Sequence, residues 1–297
     1  MKYRWVVTLL VLGIFSSCLA DAQLKKRIGV ARFDDRSGGG YNNLGKGVAD
    51  MLTTALVQSG KFMVIERQDL DKIFAEQRLG ASGAVTPETA VQAGRVLGVE
   101  MIVIGSVSEF GIKERKVGGG ISALGGAGLS TKTARAAVDI RLVNTTTGEI
   151  VAAETEEGSE TTLGVAAQYK RINFADVSSW NTTDAGKACR EAIDNCVELI
   201  TSKSEKVPWS GKIIKVNTDG TVIMKPGSEG GVQPGNEFDV YRPGEEIKDP
   251  DTGLSMGAEE SKIGVLKTVE DMLSGKAFKA QVVSGTFKVG DIVRQKQ

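Results

Sequence analysis

In 297 residues the chain contains no histidine. That removes the commonest general base and the commonest metal ligand, so a catalytic site would have to be built from carboxylates or lysine. It has no excess charge either: 37 basic residues cancel 37 acidic ones. No global field therefore favours DNA or RNA, and no nucleic-acid partner is expected. Cysteine is scarce. Apart from Cys18 there are only Cys189 and Cys196, seven apart in a helical pattern and ~10 Å apart along such an axis. That is too far for a disulfide within one helix, so both are expected to be small buried apolar residues. There is no long apolar run. The leading one, residues 5–15 of "MKYRWVVTLLVLGIFSSCLADAQ", is too short to cross a bilayer as a helix and fits the core of a secretory signal over residues 1–22. Two exits from that signal are open: cleavage after Ala22 in an A-x-A site, or lipidation of Cys18 in an imperfect lipobox with Phe15 in the place of leucine. Both take the protein out of the cytoplasm.

What is present is an ordinary globular composition, 41% apolar and 25% charged, long enough for two domains. From "KRIGVARFDD" to "EMIVIGSVSEF" the pattern alternates strand and helix, the mark of an α/β domain. Ile28, Val30 and Phe33 face inward on the first strand. Gly60, Gly80 and Gly98 end helices, with Asp69 and Thr86 as N-caps. Residues 133–142 then alternate strictly. Ala134, Ala136, Val138, Ile140 and Leu142 share one face; Thr133, Arg135, Ala137, Asp139 and Arg141 share the other. "NTTTGE" is a hairpin turn, and a second alternation runs through Thr161, Leu163, Val165, Ala167 and Tyr169. A helix with an apolar stripe of Ala188, Ala192, Ile193, Cys196, Val197 and Ile200 follows. After "SEKVP" the texture changes to short strands and dense turns, including Asp219-Gly220 between "IIKV" and "TVIM". Residues 207–297 read as a small all-β, barrel-like module.

Two stretches need weighing. "GYNNLGKG" at residues 40–47 follows a strand and precedes a helix, but places Gly47 where a P-loop requires a hydroxyl to hold Mg²⁺. A turn fits it better. "KERKVGGGISALGGAGLSTKTARAAVDIRLV" carries no G-x-G-x-x-G and no Walker pattern, which leaves a loop or a strand pair. Membrane β-strands need only ~9–11 residues and show a weak alternation of this kind. Tyr169, Phe174 and Trp180 are candidate interfacial anchors in the second run. Two hairpins cannot close a barrel alone, and open edges are not tolerated in lipid, so a membrane role requires a barrel shared among several chains.

"RIGVARFDD", "MLTTALVQSGKFMVIERQDLDKIFAEQRLG", "LGVEMIVIGSV" and "VDIRLVNTTTGEIV" together resemble the CsgG family, the outer-membrane curli secretion channel and its relatives. The resemblance runs from about residue 26 to 203. It implies an α/β periplasmic domain at residues 23–206 with two membrane-inserting β-hairpins, at about residues 108–141 and 155–184, and a homo-oligomeric ring, of nine subunits in the curli channel. That channel is narrowed by a loop carrying a Tyr and an Asn-Phe pair. Here the loop is short and glycine-rich, so Tyr41, Asn42 and Asn43 are the constriction candidates, without the phenylalanine. "GSEGGVQPGNEFDVYRPG" and "VGDIV" resemble the C-terminal domain of the flagellar assembly protein FlgT. The expectation is a cell-envelope, non-enzymatic protein without metal or cofactor. It forms an outer-membrane secretion pore for a polypeptide, its hairpins turning their small apolar side to lipid. The alternative is a soluble or lipid-anchored periplasmic binding module that supports envelope or flagellar assembly without a pore.

Overall fold

The structure is a computed structural model. It describes residues 23–39, 41–66, 68–70, 86, 91, 93–94, 97–117, 129–164, 183–248, 250 and 255–296. Cys18, Tyr169, Phe174 and Trp180 lie outside these residues.

Strands β1 (Lys26–Val30), β3 (Phe62–Ile65) and β4 (Met101–Val117) pair in parallel, with β1 in the centre. The two-residue β2 (Asp34–Asp35) adds to β4. β4 continues into an antiparallel meander with β5 (Leu129–Asn144) and β6 (Ile150–Gly164). The sheet order is β3-β1-β4-β5-β6. At its base the sheet is covered on both faces, which is why "MIVI" has no polar side: Met101 and Val103 belong to one apolar cluster, Ile102 and Ile104 to another. Ile28 and Val30 are buried on β1 as expected, and Phe33, three residues past its end, is buried too.

Helices α1 (Leu44–Ser59) and α2 (Asp184–Ser204) cover one face. α1 stops at Gly60, whose φ of 66° is the left-handed value that favours glycine there. α2 starts on Thr183, whose hydroxyl accepts from the Gly186 N–H at 3.0 Å. Its buried stripe is the expected one with Ala185, Cys189 and Leu199 added and Val197 only partly buried. The expected N-cap Asp69 is already helical, since Gln68 opens that turn and the Glu66 carbonyl takes the Asp69 N–H.

Gly45 of "GYNNLGKG" serves packing. A Cβ on Gly45 would stand 2.0 Å from the Phe33 carbonyl oxygen, so α1 begins in direct contact with the segment that follows β1. Phe33 thus packs its backbone on Gly45 and its ring on Gly105 of β4.

Six strands close the C-terminal barrel: β7 (Ser210–Val216), β8 (Thr221–Lys225), β9 (Glu237–Lys248), β10 (Ser255–Met272), β11 (Ala277–Gly285) and β12 (Ile292–Gln295), in the order β10-β11-β8-β7-β12-β9. The β7–β8 turn is at Asp219-Gly220, with Asp219 accepting from the Thr221 N–H and hydroxyl at 2.9 and 2.6 Å. Trp209 stacks on Phe238 in the barrel core, whereas Val207 packs in the α/β core, so the chain changes units between them. The amino-terminal segment also joins the barrel: Leu24 packs on its core and the Lys25 N–H donates to the Gly230 carbonyl.

Gly158 of β6 is the tightest point between sheet and helix. A Cβ there would meet the Ala188 carbonyl oxygen at 2.0 Å and the Ala192 nitrogen at 2.7 Å. Gly158→Val should therefore lift α2 and destabilise the fold by about 1–3 kcal/mol, read from denaturant unfolding of both proteins.

Candidate functional site: a projecting three-stranded ribbon

The pairing of β4 with β5 runs from Met101–Asn144 to Val117–Leu129, and β6 follows β5 up to Gly164 opposite Ser130. One irregularity interrupts it. Between Val107 and Glu109 the register shifts by one, leaving Ser108 as the extra residue of a bulge. The shift changes which residues face the helices: Val103 and Val107 before it, Phe110 and Ile112 after it. Asp139 ties the bulge down, accepting from Ser108 at 3.2 Å and Ser106 at 3.4 Å on β4 and from Thr155 at 2.7 Å on β6.

Ala134, Ala136, Val138, Ile140 and Leu142 do share a face, and each is at most 2% exposed. That face is covered by α1 and α2, not presented to lipid. Alanine and glycine stand there because the helix backbone comes close. α2 also holds the outer side of β6. Glu191 accepts from the Ser159 N–H at 2.8 Å, Asn195 donates to the Glu157 carbonyl at 3.0 Å, and Lys187 pairs with Glu160 at 2.9 Å. The helical cover ends at that height. Five rungs continue beyond it, from Lys113–Thr133 to Val117–Leu129.

This ribbon has two features. Among the described residues, β4 has no strand neighbour on its outer side past Val107, where β2 ends. And residues 118–128 and 165–182, which hold the turns or returns of both expected hairpins, leave from adjacent strand ends at one end of the sheet. The sequence of β4 there is charged at four consecutive positions, 113–116.

The constriction candidates lie just below. Tyr41 is half-buried, its ring edge-on to Phe110 with centroids 5.2 Å apart. Asn42 and Asn43 are exposed; Asn43 stands at the N-cap of α1 with φ 62° and makes no side-chain cap bond. The bulge and the α2 clamp on β6 were not anticipated from the sequence. The bulge does have a signal, the change from odd to even apolar positions between Val107 and Phe110.

No described helix is long and apolar enough to cross a membrane, which leaves strands untouched as a possibility. Burial pushes the Cys189 thiol up to about 12 and raises that of Cys196 as well, as expected for inert core thiols.

The family model of the curli production assembly/transport component CsgG matches residues 16–223. The chain belongs to the CsgG family. The match reaches past the α/β domain into the first two strands of the barrel. CsgG membership makes this a cell-envelope protein of a secretion-related family of assembly and transport components. No curated protein sequence matches the chain. Among solved structures it is similar to hypothetical protein CT253 from Chlamydia trachomatis, at 15% identity over 62% of this chain and 97% of that one, with a TM-score of 0.37. It is also similar to lipoprotein GNA1162 from Neisseria meningitidis (14% identity, 61% and 99% coverage, TM-score 0.35). A third is a PelC dodecamer from Paraburkholderia phytofirmans (11% identity, 61% and 90% coverage, TM-score 0.32). These likenesses are too distant to bear on function.

Glu156, under α2, tests how the clamp depends on charge. Burial, and then Glu154 and Glu198 nearby, raise its pKa above the ordinary carboxylate value. A carboxyl whose folded pKa is raised carries no penalty below its unfolded pKa; the penalty builds as pH rises through the folded pKa. Glu156→Gln should therefore raise the melting temperature at pH 7, with the gain fading as pH falls towards 4.

Proposed function

We propose that copies of this protein join side to side into a ring whose ribbons close one shared β-barrel in the outer membrane. The barrel is a pore that exports an unfolded polypeptide or another polymer and carries out no catalysis of its own. The observation that carries this reading is the outer flank of β4, which has no strand partner among the described residues past Val107, together with the common exit of residues 118–128 and 165–182. An unpaired strand edge is a template for a strand from another chain, and a head-to-tail contact repeated by rotation closes a ring. A span of ~9–11 residues per strand, counted from the middle of residues 118–128, takes in the five upper rungs and stops near the start of α2. Tyr41, Asn42 and Asn43 then stand near the periplasmic mouth, where a constriction is useful. The nine-subunit count of the curli channel is the working number for the ring.

One observation favours the second reading, a periplasmic binding module without a pore. The β4 part of the ribbon carries four consecutive charged residues, 113–116, and a lysine or arginine costs ~2–4 kcal/mol at the bilayer midplane, falling to ~0–1 near the interface. Charge is also a common means of blunting a strand edge.

Lipid on Cys18 would be the sole anchor of the tethered module, whereas a pore is held in the membrane by its barrel whether Cys18 is lipidated or the chain is cleaved after Ala22.

Cys18→Ser separates them. For the pore, the variant stays in the membrane fraction, extracts with detergent as a large ring and gives steady conductance in a planar bilayer, lost when residues 116–131 are deleted. For the tethered module, the variant moves to the soluble fraction and no conductance is found with either sequence.

A further inference from the structure

The joint between the sheet and the barrel carries a second site, independent of the ribbon's fate. Its centre is Glu100, 4% exposed and saturated with donors. The Arg27 N–H donates to Oε2 at 2.7 Å, and the Arg27 guanidinium binds it in a fork through Nε at 3.1 Å and Nη2 at 2.8 Å. The Ser210 N–H and hydroxyl donate to Oε1 at 3.3 and 3.2 Å. Arg27 Nη2 also donates to the Ser210 carbonyl. A carboxylate so occupied neutralises Arg27 and fixes its plane, but has nothing left for a second cation.

Beside this pair is a cavity of about 540 Å³ between the two units. Arg27 turns one face of its fork towards it: Nη1 has no acceptor among the described residues and lies 3.7 Å from where a Gly98 Cβ would be. Lys225 comes to the same point from the barrel, its Nζ 3.8 Å from that Cβ position, and has no hydrogen-bond or ion-pair partner among the described residues. Lys212, also on the cavity wall, has none. On the opposite wall Arg294 and Glu260 close on each other at 2.6 and 2.9 Å. Of the six charged residues lining the space, four are cations and two are anions, and both anions are already paired. The surplus is concentrated at Lys225 and Lys212. Burial, then the charges of Arg27 and Lys212, push the Lys225 pKa down, the strain that an anion would relieve.

We propose that this cavity is an anion site for a phosphate group, held by Arg27 Nη1 and Lys225 Nζ with Lys212 at the mouth. The Glu100 pair pre-sets the guanidinium, so little ordering is required on binding. The chemistry is that of a phosphate ester. Its source is either a soluble phosphorylated compound or the headgroup of an anionic lipid, and the test separates them.

The full mature chain is titrated with inorganic phosphate and with glycerol phosphate by calorimetry, with sodium chloride at matched ionic strength as control. Saturable binding to both, weakened roughly tenfold or more by Lys225→Gln and restored by Lys225→Arg, supports the site with a soluble ligand. Binding only to phosphatidylglycerol vesicles, with the same dependence on residue 225, supports the site with a lipid headgroup. No saturable binding to either, or binding that Lys225→Gln leaves unchanged, overturns it. Because Lys225→Arg keeps the charge, it also guards against a fold defect in Lys225→Gln; if both variants melt early, Lys212→Gln must show the weakened binding instead.

Discussion

The antiparallel pairing of β4 with β5 runs from Met101–Asn144 to Val117–Leu129, and the rest of the molecule is arranged along it. At the base β4 also pairs with β1 and is buried on both faces, so the sequence there is continuously apolar. In the middle only one face is covered, by α1 and α2, and the other turns polar around Asp139. At the top the two described helices give out. One strand pair thus passes through three environments, and its composition changes at each boundary.

The bulge at Ser108 is what makes the passage possible. Without it, Phe110 and Ile112 would fall on the polar face, because a one-residue slip turns every later side chain over. With it, Phe110 meets Tyr41 and closes the top of the core. Above that height α2 gives out, and the strands depend on whatever stands beside them. A strand whose outer N–H and C=O groups have no partner is either solvated or joined to another chain, and the family to which the chain belongs makes the second state relevant.

Much of this was legible in the sequence. The strict alternation of residues 133–142 gave the two faces of β5 correctly, and the glycines at 60 and 98 ended their helices as expected. The barrel followed from its turns, Asp219-Gly220 first. What the alternation could not say was what covers the apolar face. Small residues suit thin lipid cover and close helix packing equally well. The deciding clue is the matching row of small residues on α2, Ala185, Ala188 and Ala192 opposite Ala134, Ala136 and Gly158, and it becomes a clue only once the two segments are known to touch. The joint was not legible for the same reason. Arg27 and Glu100 are distant from each other and from the β7–β8 hairpin that carries Ser210 and Lys225, and no local pattern links the three segments.

The claim on which the account rests is that the outer flank of β4 is paired by a neighbouring copy. Hydrogen exchange at residues 108–117, resolved to single amides, tests it in detergent-extracted protein and in protein diluted to the monomer. If the account is right, the amides facing β5 are protected in both samples, and the alternate, outward-facing ones become protected only in the assembly. If the outward amides exchange freely in the extracted protein while their β5-facing neighbours stay protected, the flank is solvated and the shared barrel is contradicted.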